Sequence, residues 1–448
     1  MELSQINNIY FIGIGGAGMS ALARYFNMKN KAVFGYDKAE SDVTHTLSNL
    51  GIQITYQDVT EAIPSQVLTP NETLVVYTPA IPRSHEQLCY FQNNNYTVLK
   101  RSEVLGIITK DTFCLAVSGT HGKTTTTSIL AHLMYTCDVP VVAFLGGVCE
   151  GYNSNLIFKG DTVSVVEADE FDRSFLTLSP NFACITSMDA DHLDIYGDAT
   201  VLEKTFEAFS EKIALEGLLF TKKGLPIEGI TYGIEAHADY DIQNIRIDNG
   251  CYLFDVKTPK GNLTDIAFNL PGRHNLENAL VAMAMALEYG CPASELIEAL
   301  KTYKGVKRRF TYHIKTEDVI YIDDYAHHPE EINSVYNAVT ELYPDKKILA
   351  IFQPHLYSRT QDFSDAFAEQ LSKFDDLILL DIYPAREVPI PGVTSSWLLS
   401  KVKHDRKKVV SKQNLFSIVQ QSDADVVLTL GAGDIGELVM DIKHVLTC

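Results

Sequence analysis

The segment FCLAVSGTHGKTT, residues 113–125, decides the fold of the central part of the chain. Its first residues, Phe113–Val117, form an apolar run that predicts a buried strand. A glycine-rich turn follows, and the threonine-rich segment that begins near Lys123 predicts a helix. A strand that leads through glycines into a helix is the pattern of a phosphate-binding loop, although the first glycine of the common motif is replaced here by Val117.

The residue types of this turn suit a nucleoside triphosphate. Backbone N–H groups of such a loop donate to phosphate oxygens. Lys123 can neutralise the β- and γ-phosphates, and the Thr124 hydroxyl can bind Mg²⁺. The alternative is a chance match of Gly-Lys-Thr after a buried strand. The predicted ATP-binding residues of the loop are Gly119, Thr120, His121, Gly122, Lys123, Thr124 and Thr125.

Acidic residues follow the next two predicted strands. Val163–Val166 leads into Glu167-Ala168-Asp169-Glu170, and Phe182–Thr186 precedes Asp189-Ala190-Asp191-His192. Ligands collect at the carboxyl ends of parallel strands, and Mg²⁺ prefers oxygen ligands, so Glu167 is predicted to bind this metal. His192, beside a carboxylate, is a candidate for a second metal site or for orienting an acyl phosphate. The alternative for each cluster is a solvated acidic loop.

A second glycine-rich turn lies near the start of the chain. Gly13-Ile14-Gly15-Gly16-Ala17-Gly18 follows a predicted strand, Ile9–Ile14, and opens a predicted helix, Ala17–Phe26, with GxGxxG spacing. Such a turn lets the backbone approach a pyrophosphate. Asp37, after the predicted strand Ala32–Tyr36, is placed to meet a ribose hydroxyl. The motif leaves open which nucleotide binds, and a tight turn without a ligand is the alternative.

Three polar or glycine-rich loops follow predicted strands in the last third of the chain. They are Asp323–Pro329 after Val319–Ile322, Gln353–Arg359 after Ile348–Phe352, and Gly431–Gly436 after Val426–Leu430. Their position at strand carboxyl ends predicts a site for a second substrate. His327 and His355 could each instead be surface histidines, and Arg308-Arg309 could reach a phosphate or remain solvated.

The segment Gly272–Asn278 opens a predicted helix, Asn275–Tyr289. Asn275 and Asn278 are three residues apart and therefore share a face, where their amides could pair with an adenine edge. The alternative is that Asn275 only caps the helix.

The alternation of strands and helices over 448 residues predicts an α/β protein of three tandem modules. Their predicted bounds are 1–105 for a Rossmann-like module, 106–308 for a P-loop ATPase-like module and 309–448 for a second Rossmann-like module. Between Gly217 and Leu270, short alternating segments with Asn249-Gly250 predict an antiparallel meander or hairpin.

Composition limits the classes of partner. A net charge of −20 argues against a general nucleic-acid or anionic-membrane binder, because such proteins need a cationic surface. No apolar stretch approaches the roughly 20 residues of a membrane span. The eight cysteines form no CxxC pair, and the N-terminus shows no secretory pattern. We therefore expect free thiols, a cytoplasmic protein, and a monomer or weak homodimer.

In this order, the motifs resemble those of the Mur ligase family over essentially the whole chain. The resemblance to the family's ATP-binding region rests on Gly119–Thr125, Glu167–Glu170, Asp191-His192 and His274–Asn278. The segments Gly13–Ser20, Asp323–Pro329 and Gly431–Gly436 are similar to the members that add L-alanine to UDP-N-acetylmuramic acid.

This resemblance implies an ATP- and Mg²⁺-dependent ligase that joins L-alanine to the lactyl carboxylate of UDP-N-acetylmuramic acid through an acyl phosphate. It implies that the first turn holds the UDP-sugar rather than NAD. The implied UDP-sugar residues are Gly13, Gly15, Gly16, Ala17, Gly18, Met19, Ser20 and Asp37. The implied catalytic residues are Lys123, Glu167, His192, His327 and Arg359, with Thr124, Glu167 and His192 at the metal. Asn275, Asn278 and Arg308 are implied for ATP, and Tyr325, His327 and His355 for the amino acid.

One departure and several alternatives accompany the resemblance. Some relatives have a basic residue where Leu356 stands, so an anion contact there is lost or moved to Arg359. The nearest alternative is a recycling ligase that attaches a tripeptide to the same nucleotide, and a folyl-polyglutamate-type ligase is a more distant one. An NAD-dependent oxidoreductase would leave the loop at 119–124 unexplained. A non-catalytic nucleotide sensor would bind ATP without turnover.

Overall fold

The computed structural model describes residues 3–189, 199–248, 250–385 and 387–447, without the side chains of Ser4, Asp172 and Ala199. The chain forms two compact units. The first consists of Met1–Asp241, Lys257–Gly261 and Ala279–Thr302, and the second of Ile242–Val256, Asn262–Asn278 and Tyr303–Cys448.

Strands and helices alternate along most of the described chain. The strands are β1 (Asn8–Ile12), β2 (Ala32–Tyr36), β3 (Gln53–Thr55), β4 (Thr73–Tyr77), β5 (Thr97–Lys100), β6 (Phe113–Ser118), β7 (Val141–Cys149), β8 (Ser154–Phe158), β9 (Val163–Glu167), β10 (Phe182–Ile185), β11 (Leu218–Lys222), β12 (Ile230–Ile234), β13 (Tyr240–Asp248), β14 (Cys251–Thr258), β15 (Gly261–Phe268), β16 (Thr311–Lys315), β17 (Ile320–Asp324), β18 (Ile348–Phe352), β19 (Asp376–Leu379), β20 (Lys407–Val409) and β21 (Val426–Leu430). The α-helices are α1 (Ala17–Met28), α2 (Asp42–Asn49), α3 (Glu86–Asn93), α4 (Arg101–Lys110), α5 (Lys123–Thr136), α6 (Ala199–Ser210), α7 (Arg273–Tyr289), α8 (Ala293–Thr302), α9 (Pro329–Leu342), α10 (Tyr357–Asp362), α11 (Ser364–Leu371), α12 (Ser395–Lys401), α13 (Lys412–Gln420) and α14 (Val439–Thr447).

The first sheet has the order β3-β2-β1-β4-β5, and its strands are parallel. Its central strand β1 is apolar and buried from Ile9 to Ile12, as expected for a parallel strand covered on both faces. The strand ends at Ile12, two residues before the predicted end, because Gly13 turns the chain with φ +87°. The predicted strand at Ala32–Tyr36 is confirmed at its predicted bounds.

The second sheet carries the central motifs. Within the first unit its strands follow the order β12-β11-β10-β6-β9-β7-β8, and all neighbours are parallel except β7 and β8. Strand β6 therefore lies between β10 and β9, and their carboxyl ends meet at one edge. One hydrophobic core extends from Ile6 to Phe209 and includes residues of both the first and the second sheet. The first two predicted modules thus share a core.

The predicted antiparallel meander between Gly217 and Leu270 is partly wrong. Strands β11 and β12 instead extend the parallel sheet, since β11 pairs in parallel with both β10 and β12. The later strands agree with the prediction, because β13 and β14, and then β14 and β15, are neighbours joined by two residues. A connection of that length joins antiparallel strands.

The third sheet lies in the second unit and has the order β16-β17-β21-β18-β19-β20. Only β16 runs antiparallel to its neighbour. The sequence pattern of Gln361–Leu371 predicts one helix, and this prediction is wrong in its extent, because α10 and α11 are two helices separated at Phe363. The predicted strand Val319–Ile322 is shifted as well. Strand β17 includes Asp323 and Asp324, both of which are buried.

The seven cysteines of the described chain are free thiols. Cys114 lies in β6 and Cys184 in β10, and both are fully buried. Burial raises the pKa of the Cys114 thiol to about 11 and also raises the pKa of Cys184. None of the helices in the described part of the chain combines the length and hydropathy that a membrane crossing requires.

Candidate active site

The predicted phosphate loop connects β6 to α5, and α5 begins at Lys123. Gly119 and Gly122 have φ +128° and +82°, a region that side chains other than glycine rarely adopt. A Cβ atom on Gly119 would lie 2.1 Å from Thr186 Oγ1. The loop therefore requires glycine at position 119 for both its backbone angle and its close contact with β10.

Residues that follow β10 hold the loop in place, and sequence reasoning did not identify them. The Ser187 hydroxyl lies 2.8 Å from Thr120 Oγ1 and accepts from the backbone N–H of His121 at 2.8 Å. The Thr186 hydroxyl donates to the His121 carbonyl at 2.5 Å. These side chains reach the loop because their strand is its neighbour in the sheet. Their role can therefore be predicted only when the strand order is known.

The ammonium group of Lys123 is bound tightly within the loop. Its Nζ donates to the Gly119 carbonyl at 2.7 Å and to both carboxylate oxygens of Glu170 at 2.9 and 2.8 Å. Burial alone would lower the pKa of Lys123, but the negative charges of Glu170, Asp169 and Glu167 raise it above its ordinary value. Lys123 is therefore charged at neutral pH. Sequence reasoning noted Glu170 in the acidic cluster but assigned it no role.

The structure brings Thr124 and Glu167 together at the end of β9. The Thr124 hydroxyl donates to Glu167 Oε2 at 3.2 Å, and the backbone N–H of Gly146 donates to Oε1 at 2.5 Å. Burial raises the pKa of Glu167, while Gly146 and Lys123 oppose this rise. The Thr124 hydroxyl and the Glu167 carboxylate are thus two adjacent oxygen ligands, which suit a hard cation such as Mg²⁺.

The third predicted metal residue, His192, lies outside the described residues. Among the residues that are described, no group of three or more His, Cys, Asp or Glu side chains is arranged to hold a metal ion. A metal held by Thr124 and Glu167 would therefore need further ligands from water, substrate or the region of His192.

The first glycine-rich turn is hydrogen-bonded to Asp37, the aspartate predicted to meet a ribose hydroxyl. Asp37 accepts from the backbone N–H of Gly15 at 2.6 Å and from that of Lys38 at 2.8 Å. Asn155 of β8, which sequence reasoning missed, donates to the Ala17 carbonyl at 2.7 Å and to the Ser20 hydroxyl at 2.8 Å. This turn and the phosphate loop thus belong to the same unit.

Two residues of the predicted UDP-sugar set, Met19 and Ser20, have buried side chains. Met19 is part of the hydrophobic core of the first unit. Ser20 donates to the Ala17 carbonyl at 3.0 Å. Gly18 lies against the side chain of Arg101, since a Cβ atom at Gly18 would lie 2.8 Å from Cδ of Arg101.

In the second unit, Arg308 binds two of the predicted loops together. Its guanidinium donates to Asp323 Oδ2 at 3.0 Å and to the Gly431 carbonyl at 2.7 Å. The neighbouring Asp324 accepts from the backbone N–H groups of Phe310 and Ala326, each at 2.7 Å. Burial raises the pKa of Asp324 to about 6, although the charge of Arg309 opposes this rise.

The three predicted amino-acid residues lie close together. The His327 ring is 5.4 Å from the Tyr325 ring and 6.0 Å from the His355 ring, measured between centroids. His355 stacks on Tyr383 at 5.7 Å, and Tyr383 was not predicted. No motif in the sequence around Tyr383 indicates this contact.

Basic groups surround this cluster. The guanidinium carbons of Arg308 and Arg309 lie 5.3 and 5.2 Å from the centre of the Tyr325 ring. Arg359 is buried, and its charge contributes to lowering the pKa of His327. Leu356, which stands where some relatives have a basic residue, is also buried and has φ +70°. Its backbone N–H donates to the Tyr383 carbonyl at 3.0 Å.

The predicted adenine residues, Asn275 and Asn278, are buried near the start of helix α7. Helix α7 begins at Arg273, so Asn275 lies inside its first turn, and the alternative of a helix cap is wrong. Asn275 donates to the Pro271 carbonyl at 2.5 Å, and Asn278 donates to Asn275 Oδ1 at 3.4 Å. The two amides therefore share a face, as the spacing predicts.

The neutral state of His327 can be measured. Burial, followed by the charges of Arg359 and Arg309, lowers the pKa of this ring below its ordinary value of 6.5, while Glu331 opposes the shift. We expect the ring to be neutral at pH 7 and to gain its proton only below pH 6.5. An NMR titration of ¹³C-labelled histidine, with His327→Gln to assign the resonance, measures this midpoint. A midpoint at or above 6.5 would contradict the prediction.

A lysine-bearing loop beside a buried carboxylate, at the carboxyl edge of a parallel sheet, is the arrangement of P-loop nucleotide-dependent enzymes, and the chain is of that class. Family models match in sequence order: the Mur ligase catalytic domain at 8–112, the Mur ligase middle domain at 117–286 and the Mur ligase glutamate ligase domain at 308–433. Together with the similarity of whole chains described next, these matches show that the chain belongs to the Mur ligase family.

The chain is similar to whole proteins of this family. It is 57% identical over 443 residues to a UDP-N-acetylmuramate--L-alanine ligase of Flavobacterium psychrophilum, and the alignment covers 99% of each chain. The crystal structure of a UDP-N-acetylmuramate-alanine ligase from Thermotoga maritima matches with a TM-score of 0.83 and 27% identity over 98% of this chain and 99% of that one. A murein peptide ligase of Psychrobacter arcticus shares the fold, with a TM-score of 0.69 and 20% identity over 98% of both chains.

Proposed function

We propose that this protein joins L-alanine to the lactyl carboxylate of UDP-N-acetylmuramic acid, with cleavage of ATP to ADP and phosphate, in the synthesis of peptidoglycan precursors. The observation that carries the proposal is the phosphate loop, in which Lys123 is bonded to the buried Glu170 and the Thr124 hydroxyl is bonded to Glu167. The identity of 57% to a relative of that activity, over nearly the full length of both chains, supports the choice of substrates.

The chemistry explains why such a loop is needed. A carboxylate does not condense with an amine in water, because hydroxide is a poor leaving group. In the proposed route a lactyl oxygen attacks the γ-phosphorus, the bond to the β-phosphate oxygen breaks, and ADP leaves. The alanine nitrogen then attacks the carbon of the acyl phosphate, loses a proton, and phosphate departs.

The residues of the loop position and neutralise the phosphates. Backbone N–H groups at the start of α5 would donate to phosphate oxygens, and the charged Lys123 would bind the β- and γ-phosphates. Thr124 and Glu167, with His192, would hold Mg²⁺, which when bound neutralises charge on the transferring phosphoryl group. For ATP we further propose contacts with Asn275, Asn278 and Arg308.

For the amino acid we propose the cluster of Tyr325, His327 and His355, with Arg359 close to the reacting groups. The neutral His327 ring has a lowered pKa and could accept a proton from the alanine ammonium. Its Nδ1 lies 2.9 Å from the Tyr325 carbonyl and 3.2 Å from Glu331, which fixes the orientation of the ring. Glu331 was not predicted from sequence.

For the UDP-sugar we propose the first glycine-rich turn, and a substitution tests it. A side chain at Gly15 would meet Asp37 Oδ2 at 2.9 Å and break the hydrogen bond that shapes the turn. We expect Gly15→Val to raise the KM for UDP-N-acetylmuramic acid about tenfold, which corresponds to roughly 1.4 kcal/mol. The KM for ATP should not change. Gln53→Val is the control, because Gln53 is exposed on β3 of the same sheet and valine suits a strand. Equal effects of the two variants would count against the assignment.

The function itself is tested by measuring ADP formation with UDP-N-acetylmuramic acid, Mg²⁺ and a panel of amines. We expect turnover with L-alanine and little with the tripeptide L-alanyl-γ-D-glutamyl-meso-diaminopimelate. Turnover only with the tripeptide would identify a recycling ligase instead. ATP binding without ADP formation would indicate a sensor, and reduction of NAD would indicate an oxidoreductase.

Three further expectations complete the proposal. The module bounds 1–105, 106–308 and 309–448 are proposed as the UDP-sugar, ATP and amino-acid modules, and they lie near the limits of the family matches. We propose a cytoplasmic location, with which the free thiols of the described chain agree. We propose a monomer or weak homodimer that binds neither nucleic acid nor membrane.

A further inference from the structure

The Lys123 ammonium already has acceptors for all of its donors in this structure. An ammonium group has three N–H donors. Both oxygens of Glu170 and the carbonyl of Gly119 accept from it at 2.7 to 2.9 Å, and the Thr120 carbonyl is more distant at 3.5 Å. Glu170 is fully buried, whereas 16% of the Lys123 side chain is exposed. A phosphate oxygen that binds Lys123 must therefore replace one of these acceptors.

Of these acceptors, Glu170 is the one that resembles a phosphate. A carboxylate offers two negatively charged oxygens in a fixed plane, as a phosphoryl group offers its own oxygens. The Gly119 carbonyl belongs to the loop and is fixed by backbone angles that only glycine adopts readily. Glu170 instead reaches the ammonium from the segment after β9, through its side chain. One of the two hydrogen bonds from Lys123 to Glu170 can therefore break without a change in the backbone of the loop.

A purely structural role is the competing explanation. A buried ion pair contributes little net stability compared with apolar side chains of the same size, so stability alone does not account for one at this position. The two explanations also differ in what removal of the charge does to nucleotide binding. Damage to a structural ion pair weakens binding or leaves it unchanged, whereas removal of a competitor strengthens it.

We propose that Glu170 is a positioning residue that occupies the place of a nucleotide phosphate on Lys123 and is displaced from part of that contact when ATP binds. The inference rests on the proposed role of Lys123 in binding ATP. Glu170 holds the ammonium in the loop before the nucleotide arrives, and its competition reduces the affinity for nucleotide. The same competition opposes the binding of other phosphate-bearing anions to Lys123.

The test is the dissociation constant of Mg²⁺-ADP, measured by isothermal titration calorimetry on the full chain. We expect Glu170→Gln to lower this constant about tenfold, the order of one charge-assisted hydrogen bond. Glu170→Asp, whose shorter side chain cannot keep both hydrogen bonds to Lys123, should lower it in the same direction. Glu216→Gln is the matched control, since it removes one negative charge at an exposed position of the same unit.

Thermal unfolding provides a second measurement on the same variants. A ligand stabilises the folded state in proportion to the logarithm of its concentration over its dissociation constant. Inorganic pyrophosphate should therefore raise the unfolding midpoint of Glu170→Gln more than that of the wild-type chain. Dissociation constants equal to or higher than the wild-type value in both Glu170 variants would overturn the proposal.

Failure of this proposal and failure of the proposed function give different results. A wild-type chain that ligates L-alanine, with Glu170 variants that bind Mg²⁺-ADP no more tightly, overturns only the role of Glu170. A wild-type chain that binds neither Mg²⁺-ADP nor Mg²⁺-ATP overturns both.

Discussion

Lys123→Ala is expected to reduce the rate of ligation by a factor of about 10³, the size of effect seen when one preorganised charge-stabilising group is removed. The reason is that no other cation is bonded into the loop in the described structure, where the Lys123 ammonium is bound by Gly119 and Glu170. Loss of the ammonium leaves the developing charge on the β- and γ-phosphates without its protein partner. The measurement is the initial rate of ADP formation at saturating L-alanine and UDP-N-acetylmuramic acid.

Lys110→Ala is the control for this experiment, because Lys110 is exposed at the end of α4 and carries the same charge. Thermal unfolding of both variants checks that the fold persists, since Lys123→Ala also leaves the buried Glu170 without its cation. A Lys123→Ala enzyme that keeps turnover near the wild-type rate would remove the main support for the mechanism.

The second large effect is expected for Gly119→Ala. A methyl group there would lie 2.1 Å from Thr186 Oγ1 and 2.8 Å from the Ser187 backbone nitrogen, and the backbone angle of +128° adds strain. Strain and overpacking of this kind each cost about 1–3 kcal/mol. The loop must move away from β10 to relieve the clash, so the backbone N–H groups lose their arrangement. We expect Mg²⁺-ATP binding by calorimetry, and with it ligation, to be nearly abolished.

The contribution of the clash can be separated from that of the backbone strain. Gly224 also has a positive φ, +99°, but a Cβ atom there meets nothing within 4 Å. Gly224→Ala therefore carries a comparable strain without a clash, at a position between β11 and β12. It should lower the unfolding midpoint slightly and leave ATP binding unchanged. Wild-type ATP affinity in Gly119→Ala would show that the loop tolerates displacement.

Features set by local sequence could be predicted well. The phosphate loop was identifiable because a strand, two glycines, a lysine and a helix follow one another within Phe113–Thr125. The strands Ile348–Phe352 and Val426–Leu430 were predicted at their observed bounds, because each is a short apolar run that follows a charged residue. The helical pattern of residues 329–342 likewise predicts a helix with the observed bounds Pro329–Leu342, since proline favours the first helical position.

Features that depend on which strands are neighbours could not be predicted. Thr186 and Ser187 hold the loop because β10 lies beside β6, although nearly 70 residues separate them in sequence. The parallel pairing of β11 with β10 was missed for the same reason, since a short strand among hairpin-like segments gives no indication of its direction. The bidentate contact of Glu170 with Lys123 likewise follows from the pairing of β9 with β6.

The limit between the first two modules is difficult to read from sequence for a different reason. The helix α4 and the segment after it contribute buried residues such as Val104 and Ile108 to the same core as Phe206. Apolar residues that pack between modules have the same pattern as residues that pack within one. A composition shift or flexible linker, which usually marks a domain boundary, is absent around residue 105 of the sequence.

The buried thiols of Cys114 and Cys184 give the protein a built-in reporter of local opening. They lie on β6 and β10, the adjacent strands that end in the phosphate loop and in Thr186. An alkylating reagent such as iodoacetamide can modify them only while local opening exposes the thiols, so the labelling rate under native conditions measures the free energy of that opening. Nucleotide that tightens the loop should slow the labelling, and mass spectrometry of the two peptides would resolve each strand.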